Sequence, residues 1–174
     1  MKLVIRVRAC LAMEREMNKQ SGFTIIELAV VVAIIAIVSA IAIPNMIGWI
    51  SNGRVNASAR GIVETIQRAR IAAVKENRWV VVSFNQAAGS YTAFVDNGQG
   101  GGTAGDWIQN GTEQTVSSSQ VRPGVTISSI NLGGGSITRF NSRAIPSNAG
   151  PISLTNGSGH TVTINLGSGG IPTI

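Results

Sequence analysis

Residues 23–43 read FTIIELAVVVAIIAIVSAIAI, an apolar run broken by a single charge, Glu27. As a helix it would span about 30 Å, the thickness of a bilayer's hydrocarbon core. A helix that is apolar on every face has no side to turn to water, so it belongs in lipid or in another apolar packing environment. Lys2, Arg6, Arg8, Arg15 and Lys19 precede the run, against only Glu14 and Glu16. That basic excess predicts one membrane pass with a cytoplasmic N-terminus, the rest of the chain lying across the membrane.

An ordinary secretory signal would be cut after the apolar run. Residues 39–44, SAIAIP, provide only weak small-residue sites there. The boundary Ser21-Gly22-Phe23-Thr24 is the better cleavage point, because Gly22 presents an unhindered peptide at the membrane surface. Cutting there predicts a removed leader, residues 1–22, and a product that keeps its anchor. Glu27 needs an explanation, since a carboxylate in a membrane helix costs about 2.5–3.5 kcal/mol on insertion scales and implies a partner. Cleavage would leave an α-amino group on Phe23, four residues before Glu27 on the same helix face. The pair could form within one chain or between neighbouring helices. The plain alternative is a carboxylate that only reaches for the interface.

The string Gly22-Phe23-Thr24-Ile25-Ile26-Glu27-Leu28, followed by the apolar helix and Pro44, resembles the class III signal of type IV pilins and type II secretion pseudopilins. The resemblance implies that a prepilin peptidase cuts after Gly22 and that Phe23 is then N-methylated. It also implies that Glu27 directs subunit docking and that Pro44 is the family's helix proline. The 22-residue leader is a departure, longer than many in the family, and Met13 and Met17 are alternative starts.

Five of the 14 basic and two of the 8 acidic residues lie in residues 1–22, so half of the net charge of +6 sits in the expected leader. This halves the weight of a basic composition as an argument for a nucleic-acid partner. The one cysteine, Cys10, lies there too, which leaves the expected mature chain without disulfide or thiolate chemistry.

Pro44 removes a backbone donor and predicts a kinked or loosened helix, with Gly48 and Gly53 weakening it further. Beyond them Val55, Ala59, Ile62, Ile66, Ala69 and Ala73 recur at alternating spacings of four and three, one apolar stripe on a helix that needs a sheet to cover. We expect this amphipathic continuation over 45–78, after a membrane or filament-core helix over 23–44. Residues 79–174 are expected to form a β-rich head. Residues 79–84 and 91–95 flank a Gly89-containing turn and read as a hairpin. Residues 125–127, 137–140, 152–154 and 160–164 read as further short strands, the last following the turn Asn156-Gly157-Ser158-Gly159. The Gly-rich segment 97–105 reads as a loop without the lysine of a phosphate cradle.

The head also has a narrower resemblance. Tyr91 to Asn97, Gly105-Asp106-Trp107-Ile108, Val121-Arg122-Pro123-Gly124-Val125 and Phe140-Asn141-Ser142-Arg143 are similar to the GspH/FimT family of minor pilins and pseudopilins. The resemblance implies an α+β, pilin-like fold, a long N-terminal helix packed against small antiparallel sheets. It implies a structural subunit that primes or tips a filament, not an enzyme. Its partners would be other pilin or pseudopilin subunits, the prepilin peptidase and an inner-membrane assembly platform, with lipid around the helix before assembly and the head in the periplasm.

Some FimT-like proteins bind DNA, a role that the resemblance ties to a C-terminal Gly-Arg-x-Arg motif. Residues 167–174 contain no arginine, so nucleic acid is disfavoured, with Arg122, Arg139 and Arg143 left as weak phosphate contacts. Asp96, Asn97 and Asp106 could line a calcium loop, but their spacing fits no EF-hand and they read as solvated turn residues. No Cys/His cluster suggests a metal. His160, the only histidine, lacks a Ser–His–Asp setting and reads as a surface or turn residue. No cofactor is expected.

Overall fold

The computed structural model describes residues 22–174. The expected leader, apart from Gly22, lies outside the described residues. The boundary between two compact units falls between Ile43 and Pro44. One helix, α1 (Ile25–Glu76), contributes to both units and contains Pro44. It is the one helix among the described residues that is long and apolar enough to cross a membrane.

In the first unit every helical position from Ile25 to Ile43 is exposed except the half-buried Ser39. In the second unit the stripe read from the sequence is the buried face of α1: Val55, Ala59, Ile62, Ile66, Ala69 and Ala73 are all fully buried. Ser58 and Thr65 join them. The helix ends at Glu76, two residues before the expected end, because Asn77 turns left-handed (φ 49°). Arg78 N then donates to Ala73 O and Asn77 N to Val74 O, the paired bonds of a Schellman stop.

Eight strands follow: β1 (Val80–Asn85), β2 (Ser90–Val95), β3 (Thr115–Gln120), β4 (Val125–Ile130), β5 (Ile137–Phe140), β6 (Gly150–Asn156), β7 (Thr161–Leu166) and β8 (Pro172–Thr173). They form two four-stranded antiparallel sheets, ordered β3-β2-β1-β5 and β4-β6-β7-β8. The β1–β2 hairpin aligns Val80 with Val95 and Asn85 with Ser90. Val80, Val82, Ala93, Phe140, Ile152, Leu154 and Ile164 meet the α1 stripe in one core. Strands β3 and β8 were not expected. The sequence of β3, TVSSSQ, has no buried position, so it lacks the apolar alternation by which a strand is read.

Polar side chains fasten the helix to the sheets. Ser58 Oγ accepts from Arg122 N and donates to Arg54 O, both at 2.9 Å. Thr65 Oγ1 meets Ser117 Oγ on β3 at 3.2 Å. Asn156 Nδ2 donates to Ser51 Oγ and Asn52 Oδ1, both at 2.9 Å. Its Oδ1 accepts from Ser158 N and His160 N, so one buried amide ties the β6–β7 turn to α1.

Candidate functional site

At the start of α1, Thr24 is the helix cap. Its Oγ1 accepts from Glu27 N at 3.2 Å, and its carbonyl accepts from Leu28 N at 3.1 Å. Thr24-Ile25-Ile26-Glu27 therefore has the spacing of a capping box, a local signal that the sequence reading passed over. Glu27 occupies the first helical turn, where a carboxylate is favoured by the unpaired amides and the helix dipole. Gly22, Phe23 and Glu27 are all exposed, Phe23 at 80%. Among the described residues nothing lies within 4 Å of a side chain built on Gly22.

The three arginines weighed as phosphate contacts do not form one patch. Arg122 lies just beyond β3, and Arg139 lies on β5, the opposite edge of the same sheet. Those edges are three strand spacings apart, roughly 14 Å. The Arg139 guanidinium is held between two indoles, 4.2 Å from the Trp79 ring and 4.1 Å from the Trp107 ring. Each such contact is worth about 0.5–2 kcal/mol, depending on desolvation. Arg143 is exposed in the turn after β5.

The sandwich depends on the loop between β2 and β3. Trp107 has φ 68°, a region that a bulky L-residue seldom adopts. Asp96 holds the loop in place: its carboxylate accepts from Gly105 N and Trp107 N. Glu113 accepts from Asn97 N, Gly98 N and Asn110 N at 2.8–3.1 Å. A Cβ on Gly111 would come within 2.4 Å of Gln99 O, so the loop closes only with glycine there.

Asp96 is thus corrected from a solvated turn residue to a buried structural one, 4% exposed. Asp106 accepts from Ile108 N and Asn110 Nδ2, so both carboxylates already face hydrogen-bond donors. Among the described residues no group of three His, Cys, Asp or Glu side chains could hold a metal ion. His160 is half-buried, and its Nε2 has no hydrogen-bond partner among the described residues.

A helix with a capped, acid-bearing apolar start and a stripe packed on two small antiparallel sheets defines a pilin-like protein. Residues 17–43 match the model of the prokaryotic N-terminal methylation motif, and residues 58–170 match that of type II transport protein GspH. The second match covers more than half of the chain, and the chain belongs to the GspH family of pilin-like proteins. The fold agrees with the type IV minor pilin FimU of Pseudomonas aeruginosa, with 10% identity and a TM-score of 0.50 over 70% of this chain and 88% of that one. It also agrees with the type II secretion minor pseudopilin EpsH of Vibrio cholerae, with 12% identity and a TM-score of 0.50 over 70% of this chain and 93% of that one. A search of curated protein sequences found no significant match.

Proposed function

We propose that the chain is a minor pilin or pseudopilin, a structural subunit that primes or tips a filament and catalyses no reaction. The observation that carries this reading is the start of α1: exposed Gly22 and Phe23, the Thr24 cap, then Glu27 in the first turn ahead of an apolar stretch that runs to Ile43. It lies inside the matched N-terminal methylation motif. In this reading a prepilin peptidase cuts after Gly22, and Phe23 becomes an N-methylated terminus. The chain waits as a single-pass inner-membrane protein with its head in the periplasm, then enters the filament through the assembly platform. The exposed apolar half of α1 exchanges lipid for neighbouring helices, and Glu27 pairs with a Phe23 amine as it does so. Pro44 loosens α1 at the junction with the head.

A DNA-binding minor pilin is the second reading. Its three candidate contacts, Arg122, Arg139 and Arg143, are spread over two sheet edges, and one is clasped by tryptophans. Phosphate binding by scattered arginines would be weak and salt-dependent, so the subunit reading is preferred.

The test is N-terminal sequencing of the mature protein together with Gly22→Val. The wild type should begin at methylated Phe23, and the variant should persist as an uncut membrane precursor. A mature start beyond Ser39 would mean an ordinary secretory signal and end this reading.

A further inference from the structure

A groove of about 820 Å³ runs between α1 and the β3 side of the head. Arg60 and Gly61 on α1 form one wall, and Ser119, Gln120 and Arg122 the other. Gly61 keeps it open above Tyr91, whose Oη lies 2.8 Å from where a Cβ would stand. Glu64 also lines the groove, but its carboxylate is bonded to Arg68 at 2.5 Å. The Arg60 and Arg122 guanidinium groups have no hydrogen-bond or ion-pair partner among the described residues; Arg122 is engaged through its backbone alone, its N donating to Ser58 Oγ and its carbonyl accepting from Val125 N. A smaller groove of about 300 Å³, lined by Arg68, Lys75 and Thr115, continues along the same helix–strand seam beyond the Thr65–Ser117 contact.

β3 is an edge strand, and no strand pairs with its outer side among the described residues. Proteins protect such edges with lysine, proline or a cover, because unpaired amides and carbonyls recruit another chain. TVSSSQ has neither a charge nor a proline. An open strand edge beside two unpaired guanidinium groups is suited to one class of occupant. Main-chain bonds would hold an extended segment, and acidic side chains would meet the arginines.

We infer that the α1–β3 groove binds an extended acidic segment of a different protein. A second copy of this chain does not supply one. Its acids after Gly22 are isolated from one another in sequence, Asp96 and Glu113 are buried, and Glu64 and Glu76 are in ion pairs. The inference goes beyond the subunit reading and stands without it.

The experiment uses the full chain in detergent micelles and a labelled strand-length peptide, about six residues of alternating Glu and Thr. Anisotropy should show saturable binding that weakens as salt rises to about 0.15 M. Arg60→Glu and Arg122→Glu should each weaken it at least about tenfold, while Arg143→Glu leaves it unchanged. Arg60→Gln and Arg122→Gln, which carry no new charge, should show smaller losses and guard against a folding defect. Amide exchange over residues 115–120 should slow with peptide bound. The inference is overturned by absence of saturable binding, by an equal loss in Arg143→Glu, or by unchanged exchange in β3. An oligothymidylate that binds as tightly and is lost in the same variants would also overturn it, showing a general polyanion site.

Discussion

Between Ile25 and Ile43, α1 presents apolar side chains that no other described residues cover, Ile37 among them at 65% exposure; between Val55 and Ala73 it buries a side chain at nearly every turn, Ile62 completely. Backbone and helix type are the same in both stretches. The difference lies in the partner that removes apolar surface from water. The second stretch confines its apolar residues to one stripe, and two sheets of its own chain cover that stripe. The first has no polar face, so one sheet could not satisfy it; in the proposed reading its partner is lipid or neighbouring helices. In that reading one helix carries an intramolecular interface at one end and an intermolecular one at the other.

The largest effect expected from this contrast is on folding. Ile62→Asp places an unpaired carboxylate in the core at a cost of several kcal/mol, comparable with the whole stability of a small domain. The head should lose its cooperative thermal transition by circular dichroism. Ile37→Asp should leave that transition unchanged in detergent and instead deplete the membrane fraction. If both variants damage the head alike, the two stretches are not distinct.

Next comes Glu27→Ala. Removing a carboxylate from the apolar half should leave membrane retention and cleavage intact. Its absence should be felt on incorporation, where a buried amine without its partner costs about 3–5 kcal/mol. Immunoblots of sheared filaments should show incorporation reduced by about two orders of magnitude, with Glu27→Gln milder. Incorporation at wild-type level would remove Glu27 as a docking residue.

Ser58→Ala sharpens the other side. It strands Arg122 N, now bonded to Ser58 Oγ, and should destabilise the head by about 1–3 kcal/mol. A melting temperature within error of wild type would show that water replaces the hydroxyl. Smallest is Thr24→Ala, which removes the cap from Glu27 N. It should cost about 1 kcal/mol and appear as faster amide exchange confined to the first turn. Exchange spreading towards Ile43 would mean that the cap stabilises the whole apolar stretch.

Much of this was legible in the primary structure because it is periodic or local. The exposed apolar half of α1 follows from an apolar run in which Glu27 is the one charge. The six-residue stripe follows from alternating spacings of four and three, and the hairpin around Gly89 from two apolar runs about a short turn. The Thr24–Glu27 cap has an equally local signature, although it was missed. β3 was hidden because a polar edge strand buries nothing and has no apolar alternation. The Asp96 and Glu113 anchors were hidden because a carboxylate that accepts backbone amides has the same letter as a solvated one. Trp79, Trp107 and Arg139 become neighbours only when β5 pairs with β1 and the Gly-rich loop folds back, and Arg60 faces Arg122 only when α1 lies along β3. The sequence by itself determined which surfaces had to leave water, because hydrophobic burial is set by composition and period. Tertiary structure alone decided which polar groups meet, because directional contacts between residues distant in sequence depend on strand order and register, and no local pattern encodes either.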